Sequence, residues 1–276
     1  MPPTIRIFDG VSAIGAGGPV DLGGPKQRAI LAVLLLEPGT SVSIDRLVDL
    51  VWGDDAPGRA EVSIRGYVSN LRRALGTIGA DPATVLPFRD GGYALEFPPE
   101  QIDMHQFENR VQNGIAAQRL GDADAANQLA QALEMWTGEP FGRLADRVDL
   151  HNTVARLERL RGDAVEALTD LRLERGEHQG VAIDLPAEIA RHPYRERLRA
   201  QHAIALYRSG DAVQALRSLD ETRRTLGDDI GVDPGPDLQS LQAQILGHDP
   251  ALQWAVRAID LRRTSSLQLN RRGGHR

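Results

Sequence analysis

A chain of 276 residues with 41% hydrophobic and 25% charged side chains is long enough for one large or two modest packed domains. It has no cysteine, which excludes disulfides, thiolate metal sites and a cysteine nucleophile. Its formal net charge is −6 and its first hundred residues are themselves slightly acidic, so polyanion binding by bulk charge is excluded and any nucleic-acid contact needs a local surface.

The start, MPPTIRIFDG, lacks the charged and then apolar pattern of a signal peptide. No apolar run approaches the roughly 18 residues of a membrane span. A cytoplasmic protein with no membrane partner is expected. Thr4–Phe8 (TIRIF) alternates as a strand does, and GAGGPVDLGG reads as turn, short strand, turn. Pro25 opens a helix, where its missing N–H costs nothing, and Ala29, Ile30, Val33, Leu34 and Leu36 supply the apolar stripe before Pro38-Gly39 ends it. Ser43 then caps a second helix that presents Ile44, Leu47, Val48 and Val51. After the loop GDDAPG comes RAEVSIRGYVSNLRRALG, a third helix. Val85–Phe88, the turn RDGG and Tyr93–Phe97 follow as a β-hairpin. This order is that of a winged helix-turn-helix carrying an N-terminal sheet.

Placed at 100° per residue, Ile64, Tyr67, Val68, Leu71 and Leu75 of the third helix share a core face. Opposite lie Val62, Gly66, Ser69 and Arg73, flanked by Arg59 and Asn70, with Arg65 and Arg72 on one shoulder and Ser63 on the other. The outward face is small or polar in the middle and cationic at its margins. A helix entering the DNA major groove needs this pattern, because short side chains admit it to base edges while arginines meet phosphates. Ser63, Arg65, Gly66, Ser69 and Asn70 are therefore groove candidates, and Arg72 and Arg73 phosphate candidates. Arg89, at the hairpin tip, is placed to enter the minor groove. Lys26 and Arg28 are further phosphate candidates at a helix N-terminus. The bland alternative stays open too: a solvated arginine-rich face, with Gly66 admitting a neighbouring side chain.

The second half opens at PPEQIDMHQF, with Asp103 expected as a helix N-cap, and runs helical to about residue 247. LGD at 120–122, RGE at 175–177 and SGD at 209–211 each join two helical stretches. Gly176 and Gly210 are 34 residues apart, the tetratricopeptide period. Three imperfect helix pairs of that kind are expected, and stacked pairs bind mainly protein segments. His192-Pro193 reads as a helix stop, Pro236 as the start of a closing helix, and Trp136 and Trp254 as packing anchors. The expected fold is an α+β winged helix-turn-helix over residues 1–99 followed by an all-α tetratricopeptide-like domain over 100–252. A basic, flexible tail is expected over 253–276.

Taken together, LGGPKQRAILAVLLLEPG, SIDRLVDLVWGDD, YVSNLRRALG and GGYALEF in the first half and DMHQFENRV, ARHPYRERLRAQHAIALYRSGDAVQAL and IGVDPGPDLQSLQAQILGHDPAL in the second resemble the Streptomyces antibiotic regulatory protein (SARP) family. The resemblance covers roughly residues 5–252. It implies an OmpR-type winged helix joined to a bacterial transcriptional activation domain. It also implies an activator that binds direct repeats in promoters as two copies side by side, recruits RNA polymerase, and controls secondary-metabolite genes. Arg72, Arg73 and Arg89 match the family's basic pair and wing arginine, whereas Asn70 stands where many relatives have arginine, which leaves the base preference there open. In OmpR-type relatives the loop corresponding to Gly53–Gly58 faces polymerase. Asp54 and Asp55 are thus candidates for a sigma-factor contact or, equally, a solvated acidic loop.

No enzyme chemistry emerges. GAGG at 15–18 fails as a dinucleotide fingerprint because Val20 stands at its third glycine. The seven histidines are scattered, and no GxxxxGK[ST] or GxSxG motif occurs. No cofactor is expected. Two readings of the same residues remain beside the activator: a helical-repeat adaptor whose winged helix binds protein, and a repressor using the same DNA contacts.

Overall fold

The computed structural model describes residues 4–253, so Trp254 and the basic tail lie outside the described residues. The chain divides into two compact units, one ending at Leu171 and the other beginning at Arg172.

In the first unit, β1 (Thr4–Arg6), β2 (Ser12–Gly15) and β3 (Gly18–Val20) form an antiparallel meander in the order β1-β2-β3, with Ile5 opposite Ala13 and Ala13 opposite Val20. The sequence reading missed β2, because SAIG is short and runs straight into a glycine-rich turn. Helix α1 (Pro25–Leu34) starts with Pro25 in its first turn and buries every residue from Ala29 to Leu34. Ser43, ending β4 (Val42–Ser43), caps α2 (Ile44–Trp52): its hydroxyl accepts the Arg46 N–H at 3.2 Å. A short 3-10 turn, Gly53–Asp55, leads to α3 (Ala60–Gly76), whose buried residues include Ile64, Val68, Leu71 and Leu75. That is the expected core face.

The wing is built from β5 (Phe88–Arg89) and β6 (Gly92–Tyr93), with β4 adding to the other edge of β6. The ladder is shorter than the expected strands, although Ala94 N–H to Pro87 O (3.2 Å) and Glu96 N–H to Val85 O (2.9 Å) continue the pairing. Asp90 and Gly91 at the tip both take positive φ, 52° and 74°, as a two-residue hairpin turn of the favoured twist requires. Gly92 admits no side chain: a Cβ there would sit 2.1 Å from the Val42 carbonyl oxygen.

Helices α4 (Asp103–Arg119) and α5 (Ala125–Glu134) follow as an antiparallel pair, and α6 (Val148–Glu174) runs through the end of the unit. Asp103 corrects an expectation. Ile102 occupies the N-cap position, and the Asp103 carboxylate reaches across the fold to the Ile7 and Phe8 N–H groups. A buried backbone pair needing an acceptor outcompetes the local cap. Around it one core joins Ile5, Ile7 and Phe8 to Phe107, Val111 and Leu129, and continues to Leu150, Leu157 and Ala164. Trp136 is the packing anchor expected, its ring centroid 4.7 Å from Phe8 and 5.3 Å from Phe107.

The second unit holds α7 (His178–Arg191), α8 (Glu196–Arg208), α9 (Ala212–Ile230) and α10 (Pro236–Leu246). Ala203, Ala215, Leu219, Leu238, Leu241 and Ile245 form its core. His192 ends α7 and Pro236 opens α10, as the sequence indicates. The three expected joints are present: Gly121, Gly176 and Gly210 take φ of 70°, 82° and 91° between α4 and α5, α6 and α7, and α8 and α9. Left-handed backbone of that kind turns one helix into the next, and a Cβ makes it costly. The fold is a winged helix-turn-helix followed by helical pairs.

Candidate nucleic-acid interface

The outward side of α3 is open. Val62, Arg65, Gly66, Ser69, Asn70 and Arg73 are exposed, Val62 at 65%. A Cβ built on Gly66 would meet no atom within 4 Å, and its φ is not positive. The bland account of this glycine, that it admits a neighbouring side chain, is therefore removed. Among the described residues nothing requires glycine there.

The polar residues of this face are loosely arranged. Arg65 lies 3.8 Å from Glu61 one turn earlier, and both are well exposed, so solvent screens the pair. Arg73 donates to Asn70 Oδ1 at 3.3 Å, which holds the amide beside a cation in the middle of the face. Ser63 is half-buried, its hydroxyl 3.4 Å from the Arg59 carbonyl. All these contacts are weak enough to exchange for a ligand's.

Arg72, expected at a phosphate, is engaged within the chain. It is half-buried, it donates from Nε (3.1 Å) and Nη2 to the Leu86 carbonyl, and its guanidinium carbon lies 5.7 Å from the Tyr93 ring centroid. A shoulder position on the helical wheel fixes where the Cβ leaves the helix, not where a long side chain ends. Here the wing supplies a carbonyl and an aromatic face.

Arg28 is likewise engaged inward, from Nε to Gly23 O and from Nη1 to Val11 O, both at 3.1 Å. It braces the turn before α1. Lys26 stays exposed with Nζ 4.6 Å from the Trp52 ring centroid, and that ring stacks on Tyr67 of α3 at 6.2 Å. The cation is thereby held over an aromatic pair that joins α2 to α3.

Arg89 projects from the wing, exposed. It is paired with Glu96 at 2.8 Å and donates to Gly39 O, while its own carbonyl accepts the Ser41 hydroxyl at 2.7 Å. Phe88 beside it is 54% exposed, its ring edge-on to Tyr93 at 5.2 Å. Sequence reasoning missed Phe88. An apolar residue next to a hairpin turn carries no signal until the strand register shows which way it faces. Asp54 and Asp55 are exposed in the 3-10 turn between α2 and α3. Among the described residues no helix is long and apolar enough to cross a membrane.

Known proteins resemble this chain in sequence and fold. Residues 17–95 match the family described as "Transcriptional regulatory protein, C terminal", and residues 102–246 match "Bacterial transcriptional activator domain". The chain is 37% identical over 233 residues to regulatory protein DnrI of Streptomyces peucetius, which covers 82% of this chain and 86% of DnrI. It is 39% identical over 232 residues to regulatory protein AfsR of Streptomyces coelicolor, covering 83% of this chain but 23% of AfsR. The solved structure of Mycobacterium tuberculosis EmbR in complex with a low affinity phosphopeptide superposes with a TM-score of 0.84 at 33% identity. That match covers 90% of this chain and 66% of EmbR. With a winged helix, helical pairs after it in the chain, and DnrI matched over most of its length, the chain belongs to the SARP family of transcriptional regulators.

Proposed function

We propose that this protein is a sequence-specific DNA-binding transcriptional activator. Two copies sit side by side on direct repeats in a promoter and recruit RNA polymerase to secondary-metabolite genes, in the cytoplasm. The observation that carries this reading is the exposed face of α3, where Gly66 has no neighbour among the described residues that requires glycine and Arg65, Asn70 and Arg73 surround it. Ser63, Arg65, Gly66, Ser69 and Asn70 lie at base edges in the major groove, and Arg73 meets a phosphate. Arg89 exchanges Glu96 for the narrow, negative minor groove. Lys26 adds a backbone contact, and Arg28 supports the α1 N-terminus that approaches the phosphates. Asp54 and Asp55 offer an acidic surface to a basic region of the sigma factor.

Selection from a genomic fragment library, followed by salt titration of the enriched fragments, tests the reading with wild type beside Arg73→Ala. Selected fragments whose log affinity falls with log salt, with a slope smaller by about 1 in the variant, are expected. No enrichment, or a slope indifferent to Arg73, would sink the DNA reading and leave the winged helix as a protein-binding element.

A further inference from the structure

The wing has little backbone of its own. Its two strands pair over two residues each, Ala94 N–H to Pro87 O and Glu96 N–H to Val85 O extend the ladder, and β4 pairs with the other edge of β6, so the backbone ties the hairpin to β4 but not to α3. Two side-chain ties add to it. On the β4 side, the Ser41 hydroxyl holds the Arg89 carbonyl and Arg89 reaches Gly39 O. On the α3 side there is Arg72. It sits on the same helix as Arg65 and Arg73, yet its guanidinium turns away from the face they share. Its Nε–Nη2 edge grips the carbonyl of Leu86, two residues before β5, and its guanidinium carbon lies over the ring of Tyr93 in β6, 5.7 Å from the centroid. One side chain from the reading helix thus touches the stems of both wing strands.

We propose that Arg72 is a positioning residue for DNA reading. It locks the wing to α3 and so fixes the separation at which the α3 face and Arg89 meet the two grooves, without touching phosphate itself. This rests on the DNA reading given above. The chemistry suits arginine specifically. A planar guanidinium can give two N–H groups to one carbonyl while stacking on a ring, whereas a lysine ammonium offers a point charge with no fixed edge or plane.

Amide exchange across Phe88–Tyr93 and a double-mutant cycle on a selected fragment test it together. Arg72→Ala and Arg72→Lys are each expected to speed wing exchange about tenfold or more, while α1 amides keep their protection and Arg73→Ala leaves the wing unchanged. On DNA, Arg72→Ala and Arg89→Ala should be strongly non-additive, the double variant binding about as weakly as the worse single one. Both report on one wing, whereas Arg72→Ala and Arg73→Ala should add. Unchanged wing exchange in Arg72→Ala, with fragment selection intact, overturns the lock alone. Additive losses with Arg89, and a salt slope lower by about 1, make Arg72 a phosphate ligand and also overturn it. A wild-type chain that selects no fragment overturns the inference together with the reading beneath it.

Discussion

The Asp103 carboxylate accepts the Ile7 N–H through both oxygens, at 2.9 and 3.0 Å, and the Phe8 N–H at 3.3 Å, across more than ninety positions of sequence. Helix α4 is thereby fastened to the segment that follows β1. Burial raises the Asp103 pKa from 3.8 to about 6, although the Ile7, Phe8 and Met104 N–H groups favour the ionised form. A raised carboxyl pKa means that the folded chain holds the proton more tightly than the unfolded one. The contribution is therefore fully present below about pH 3.8 and is lost as pH rises through about 6. Denaturant midpoints measured between about pH 4 and pH 7 should show this loss in wild type. In Asp103→Asn, the profile relative to wild type should lack that component. Parallel profiles would refute it.

Gly66 separates folding from reading. Because a side chain there meets no protein atom, Gly66→Ala is expected to stabilise α3 by up to about 1 kcal/mol, read as a raised midpoint in thermal unfolding. Gly66→Leu should fold as well as wild type yet lose roughly tenfold or more in affinity for a selected fragment, since the side chain stands between helix and base edges. A leucine variant with full affinity would place the DNA elsewhere.

Phe107 is fully buried and packs edge-on against Phe8 at 5.4 Å and against Trp136 at 5.3 Å. Phe107→Ala is expected to cost about 3–5 kcal/mol, measured by denaturant unfolding. The loss should appear in α1 and α4 together, because one core serves both, and amide exchange would show it.

Gly92→Ala tests the close approach of β4 to β6. The added methyl meets the Val42 carbonyl and Ser43 backbone, so the strands must part, at about 1–3 kcal/mol. Gly91→Ala, at positive φ but facing open space, should cost about 1–2 kcal/mol and leave β4 in place. Amide exchange at Ile44, whose N–H reaches Gly91 O at 3.2 Å, distinguishes the two.

Features set by neighbours in sequence were legible. Pro25 opens α1, Ser43 caps α2, the apolar period of 64–75 gives the buried face of α3, and Gly121, Gly176 and Gly210 mark three helix joints. What escaped depends on partners distant in the chain. Asp103 reads as a local cap because its donors, the Ile7 and Phe8 N–H groups just after β1, lie far away in sequence. The Leu86 carbonyl and Tyr93 ring that engage Arg72 come near it only when the hairpin folds back. The open space at Gly66 is also a tertiary fact. Composition could raise the question of that glycine, but only packing could answer it.

The shared core of the first unit limits how this regulator can be recombined. Ile5, Ile7 and Phe8 from the start of the chain are covered by side chains of α4 and α5, Arg46 of α2 is joined to Asp149 in the first turn of α6, and Leu50 to Arg147 just before it. Chimaeras that exchange residues 1–99 between relatives would therefore cut through a packed interior and set a foreign Phe8 against Phe107 and Trp136. An exchange that keeps this interior whole would have to carry residues through α6, beyond Leu171, rather than stop at residue 99.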